Sequence, residues 1–179
     1  MKRYYALSAI GQDRPGIVAE VSGLIYECGG NLEDSSMARL GEQFALLILL
    51  SGTGEEFQYR LSTGLKRLEW EKHLSAFLTP VEDPEGKSGD QEITELFELS
   101  TTGLDRMGIV YQVSRLLADQ GINIADMHTK ATPSPESGTP IFTMKILLEV
   151  PTKISPQELL QKLNRLGEGL AIDISLRKA

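Results

Sequence analysis

The chain has 179 residues, with 18 Lys and Arg against 25 Asp and Glu, a formal charge of −7; 41% of residues are hydrophobic and 24% charged. That apolar content excludes a mainly disordered chain, and the acidic balance argues against direct binding of nucleic acid, which needs clustered Lys and Arg. The single cysteine, Cys28, excludes an internal disulfide, and with only His73 and His128 besides it, no metal site is supported.

Taken in chain order, Tyr4 to Ile10 is aromatic and apolar and ends at Gly11, which reads as a strand. Ile17, Val18, Val21, Leu24, Ile25 and Cys28 then recur at three- and four-residue spacing, the signature of a helix with one buried face. Pro15 suits the first helical turn, Asp13 suits an N-cap or the turn before it, and Gly29-Gly30 stops the helix. Leu32 to Leu40 and Phe44 to Ser51 form a hairpin around Gly41-Glu42. A second helix carries Phe57, Leu61, Leu65 and Leu68, and Leu74 to Val81 closes the unit as a strand. After a polar stretch from Val81 to Asp90, the order repeats. A strand Ile93 to Ser100 leads to a helix with Ile109, Val110, Val113, Leu116 and Leu117, ended by Gly121. Strands Ile122 to Ala131 and Ile141 to Val150 flank a segment, TPSPESGTP, expected to be a longer mobile loop. A helix with Leu159, Leu160, Leu163 and Leu166 precedes a last strand, Leu170 to Leu176.

The repetition is also one of letters. Gly11 to Asp34 aligns without gaps on Gly103 to Asp126 at an offset of 92, with 12 of 24 positions identical, so the two halves are duplicated domains. The expected boundaries are residues 1–82, a linker at 83–91, and residues 92–179. Charge is shared: residues 1–88 hold 9 basic and 13 acidic groups, and 89–179 hold 9 and 12, so neither half is a basic module. Each unit, in βαββαβ order, is a ferredoxin-like α+β fold: a four-stranded antiparallel sheet with two helices on one face.

D-R-P-G-I-V after the first strand and G-G-N-L-x-D into the second resemble an ACT domain; D-R-M-G-I-V and G-I-N-I-x-D resemble another. Two such domains with no catalytic domain attached are similar to the glycine cleavage system transcriptional repressor family. The resemblance implies a small amino acid ligand such as glycine or serine, held between paired domains, and hence a homo-oligomer. It also implies action through a LysR-type transcription factor rather than by direct contact with nucleic acid. An interaction module that regulates a metabolic enzyme, or that has lost its ligand, is the alternative.

A strand-to-helix turn offers free N–H groups and the positive end of the helix dipole to a carboxylate. The candidate ligand-binding set is therefore Asp13, Arg14, Pro15, Gly16, Ile17 and Asn31, with Asp105, Arg106, Met107, Gly108, Ile109 and Asn123 as equivalents. Asn31, at the start of the second strand, is placed beside the same end of the sheet as the turn. Asp13 and Arg14 read more readily as turn-stabilising or salt-bridge groups than as ligand contacts; for the Gly16 and Asn31 regions the two readings are balanced. Cys28 reads as a small core residue, Trp70 and His73 as packing or surface groups, and His128 as a lone strand histidine without the further His or Cys a metal site needs. With no GxSxG, GxGxxG or Walker sequence, neither an enzyme nor a cofactor is expected.

The MKRYYALSAIGQDRPG start lacks the apolar core of a signal peptide, and the longest apolar run, Phe44 to Leu50, is far short of the ~20 residues that span a bilayer. A cytoplasmic protein without membrane contact is expected. One asymmetry stands out between the copies. In the first, Ala45, Leu47 and Leu49 make the side of the third strand away from the helices apolar, where the second has Thr143, Lys145 and Glu149. That first face is expected to be covered by protein, either the other domain or a partner chain.

Overall fold

A computed structural model describes residues 2–83 and 93–179. The chain divides into two compact units, Met1–Gly89 and Asp90–Ala179. From residue 84 onward the expected linker lies outside the described residues.

In the first unit, β1 (Lys2–Gln12) leads to α1 (Ile17–Glu27), β2 (Asn31–Leu40), β3 (Gln43–Thr53), α2 (Glu56–Lys72) and β4 (Ser75–Val81). The sheet order is β2-β3-β1-β4, antiparallel throughout. Leu40 pairs with Gln43, so Gly41 and Glu42 form a two-residue hairpin turn, with Gly41 at φ 61°. Alternation decides the faces. Tyr5, Leu7 and Ala9 of β1 and Phe44, Leu46, Ile48 and Leu50 of β3 point to the helices. Against them pack Ile17, Val21, Leu24 and Ile25 from α1 and Phe57, Leu61, Leu65 and Leu68 from α2. The Tyr5 and Phe57 rings meet in a tilted pair, centroids 5.6 Å apart. Each fully buried Leu or Ile here contributes about 1.5–3 kcal/mol relative to exposure. Cys28 is partly buried against this core, as its place on the helical stripe implied.

The second unit repeats the plan. β5 (Thr94–Leu104), α3 (Ile109–Asp119), β6 (Asn123–Pro133), β7 (Pro140–Pro151), α4 (Pro156–Leu170) and β8 (Ile172–Lys178) give the sheet β6-β7-β5-β8. Its core joins Phe97 and Leu99 of β5 and Phe142, Met144, Ile146 and Leu148 of β7 to Ile109, Val113, Leu117, Leu159 and Leu163 of the helices. Both sheets carry a bulge early in the strand after the first helix, between Leu32 and Asp34 and between Ile124 and Asp126.

Two expectations need correcting. Leu170 does not open the last strand; it is the buried last residue of α4, and Ala171 turns the chain at φ 55° before β8 begins. The segment Thr132–Pro140 is only partly a loop. Pairing continues to Pro133 and Pro140, and the remaining turn is held by Ser134 N–H to the Thr139 carbonyl at 2.8 Å and Gly138 N–H to the Ser134 carbonyl at 2.8 Å. Proline is tolerated at both places: Pro133 ends the edge strand β6, and Pro140 is the first residue of the interior strand β7. Among the described residues no helix is long and apolar enough to cross a membrane, and no cluster of three His, Cys, Asp or Glu could hold a metal ion.

Candidate functional site

The turn after β1 places Gly16 at φ 91° and ψ −9°, immediately before α1. That backbone conformation is open to glycine and strained for other residues. No side chain caps the helix. Asp13 is therefore not the N-cap: its N–H donates to the Glu42 carbonyl at 2.8 Å, and its carboxylate accepts from Arg39 Nη1 at 3.3 Å. Arg14 donates from both terminal nitrogens to Glu20, at 3.0 and 2.5 Å, and Lys72 lies 3.9 Å from the same carboxylate. The Arg14 guanidinium holds the Glu20 carboxyl below its ordinary range. Glu20, in the first turn of α1, thus supplies the negative charge that the helix N-terminus favours, and it occupies Arg14 as well.

The second turn has the same backbone and different side chains. Gly108 stands at φ 91° and ψ 0° before α3, and Asp105 N–H donates to the Pro140 carbonyl at 3.1 Å. Gln112 replaces Glu20, Ala131 replaces Arg39, and the first turn of α3 holds no acidic residue. Among the described residues no hydrogen bond or ion pair engages the Asp105 or Arg106 side chain. Asp105, Arg106, Met107 and Gly108 are all exposed, whereas Ile109 is buried beneath them, as Ile17 is in the first unit. The first turn is closed by its own ion pairs, and the second presents an unpaired guanidinium beside an open helix N-terminus.

Asn31 and Asn123 are not at these turns. Asn31 pairs with Ser51, which pairs with Tyr4, so it lies level with the start of β1 while Asp13 follows its end. Nine strand residues at ~3.3 Å each put the two about 30 Å apart. The reason is elementary: α1 runs back along the sheet, so the strand that follows it starts at the far end. Asn123 likewise pairs with Glu149, level with Leu96, and its amide donates to the Glu149 carboxylate at 2.8 Å.

A polar cluster that sequence reading missed surrounds Asn31. Glu33, at the bulge, accepts from the buried Ser51 hydroxyl at 2.5 Å and pairs with Lys2 at 2.9 Å. The Ser51 hydroxyl, Lys2 and the Asn31 amide together hold the Glu33 carboxyl at about 2. No spacing rule joins residues 2, 33 and 51; only the sheet register does. His128 pairs with Asp126 at 3.1 Å on an exposed strand face, and Trp70 is exposed on α2.

Profiles of the ACT domain match residues 4–78 and 97–168. The chain belongs to the ACT-domain family, with two copies in tandem. Over 52 residues, 29% of its length, it is 46% identical to the glycine cleavage system transcriptional repressor of Escherichia coli (strain K12). That match spans about a quarter of the relative, 27% of its length. Among solved structures, an unknown protein from Galdieria sulphuraria superposes with a TM-score of 0.80 at 29% identity, covering 100% of this chain and 99% of that one. The crystal structure of a putative glycine cleavage system transcriptional repressor superposes with a TM-score of 0.74 at 24% identity, covering 100% and 98%, which establishes the shared tandem ACT fold.

Proposed function

We propose that this tandem ACT protein is an amino-acid-responsive regulator without catalytic activity, and that a small amino acid of the glycine or serine class binds at the Asp105–Gly108 turn of the second unit. The supporting observation is the contrast between the two turns. At the first, Glu20 already fills the place a ligand carboxylate would take and ties up Arg14. At the second, Arg106 and the N–H groups of α3 face solvent with no internal anion, and the Asp105 carboxylate is free for an ammonium group. The signal passes to a partner transcription factor of the LysR type in the cytoplasm; the similarity over 52 residues to a glycine cleavage system transcriptional repressor of Escherichia coli supports the regulatory role.

Titration calorimetry with glycine, serine and the other common amino acids tests the site. Arg106→Gln is expected to weaken binding about 10-fold, the effect of losing one charge-assisted hydrogen bond, and Arg14→Gln to leave it unchanged. Equal losses in both variants would refute the assignment to the second unit. An absence of binding at millimolar concentrations would instead favour an interaction module with no ligand. Recovery of a transcription factor with the protein in a glycine-dependent pull-down tests the partner, and recovery of a biosynthetic enzyme would overturn it.

A further inference from the structure

The helix-free face of the first sheet is uncharged across its three central rows inside the Asp34 margin, where seven of eleven residues are apolar. The register puts Phe77, Ser8, Leu47 and Ser36 in one row across it; Ser75, Ile10, Ala45 and Ala38 form the row on one side, and Thr79, Ala6 and Leu49 lie on the other. Phe77 is 65% exposed, Leu47 56% and Ile10 49%. The small residues Ala6 and Ser8 of β1 leave a furrow between the β4 ridge of Phe77 and the β3 ridge of Leu47 and Leu49. Charge is confined to the margin, at Asp34 on the β2 edge and Lys2 at the start of β1, and Lys2 is already paired with Glu33. The corresponding face of the second sheet carries Glu98, Lys130, Lys145, His128, Asp173 and Arg177, which keep their charges in water.

We propose that this face docks against the same face of a second copy of the chain, ridge into furrow, about a two-fold axis. Two arguments select that occupant. Copies carrying −7 each repel wherever their acidic surfaces meet, and this face is where they can meet without opposing charges. The area is also sufficient. Strands of about 30 Å, four abreast at ~4.8 Å, present about 600 Å² per copy, or about 1,200 Å² for the pair, the lower bound of stable specific interfaces. A two-fold arrangement makes the patch its own complement.

Sedimentation equilibrium of the full chain at micromolar concentration tests this. The wild-type chain is expected to be a dimer. Leu47→Asp puts two unpaired carboxylates in the interface and is expected to raise the dissociation constant at least about 100-fold. Phe77→Asp, on the edge strand β4 where the ladder is spared, is expected to do the same. Tyr111→Asp, on the exposed side of α3, is expected to leave the dimer intact. Circular dichroism reports whether each variant is folded. A monomeric wild-type chain overturns the proposal, because the face is then either bare or covered within one chain. A folded Leu47→Asp or Phe77→Asp variant that stays dimeric overturns it as well.

Discussion

Replacing Gly103 with Ala is expected to destabilise the second unit while the matching change, Gly11→Ala, barely touches the first. A Cβ built on Gly103 would lie 2.6 Å from the Ala171 carbonyl oxygen and 2.8 Å from the Ile172 Cα, both backbone atoms of the chain entering β8. Backbone cannot rotate away, so β5 and β8 must separate locally. On Gly11 the nearest atom is Leu74 Cδ2 at 2.7 Å, the tip of a flexible side chain, and the backbone His73 oxygen is farther, at 3.3 Å. Overpacking that moves backbone costs about 1–3 kcal/mol, and the stiffer unfolded chain of an Ala variant returns about 0.5 kcal/mol. For a unit of this size each kcal/mol moves the melting temperature by about 4–8 °C, so the Gly103→Ala transition should fall by about 2–20 °C and the Gly11→Ala transition by clearly less. Differential scanning calorimetry of the full chain measures both. Equal losses, or no loss at Gly103, would refute the argument that the hardness of the neighbouring atom decides the outcome.

Three further outcomes can be checked by denaturation. Thr101 is 2% exposed and its hydroxyl has no hydrogen-bond partner, so Thr101→Val, of nearly the same shape, should raise stability by about 1 kcal/mol in urea unfolding. Ala171 ends α4 at φ 55°, a conformation that Gly adopts without steric penalty, and Ala171→Gly should stabilise by about 0.5–1 kcal/mol; a loss would show that the Ala171 methyl matters more than its backbone. Glu33 titrates at about 2 in the folded chain, below its ordinary 4.5. A depressed carboxyl contributes stability that is complete above pH 4.5 and is lost as the pH falls toward 2. Glu33→Gln should therefore flatten the acid limb of the stability curve between those values and leave the curve above pH 5 parallel to that of the wild type.

Much of the architecture can be read from sequence because it rests on local periodicity. Ile17, Val21, Leu24 and Ile25 announce the buried face of α1 by spacing alone, and Gly41-Glu42 announces the β2–β3 turn. What could not be read depends on partners distant in sequence. Arg14 and Arg106 stand in the same motif, yet one is clamped by Glu20 and the other is free, and the difference lies six residues on, in Glu20 against Gln112. Asn31 follows α1 closely in sequence, but α1 runs back along the sheet, so nearness along the chain does not bring Asn31 to the turn. An α1 of 11 residues returns the chain to the start of β1, so the turn and Asn31 sit at opposite ends. The face that Phe77 occupies is not legible in sequence, because a short alternating strand shows two faces without saying which is covered; pairing with Ser8 settles it.

The bulges at Leu32/Asp34 and Ile124/Asp126 bear on solubility. β2 and β6 are the outermost strands of their sheets, exposed along most or all of their length, and each offers unpaired N–H and C=O groups to any extended chain that passes. A bulge near the start of such a strand twists it and breaks the even spacing of those groups. Repeated in both copies at the same place, it leaves each sheet with an irregular rim that a stray strand can match over only part of its length, a safeguard against edge-to-edge aggregation.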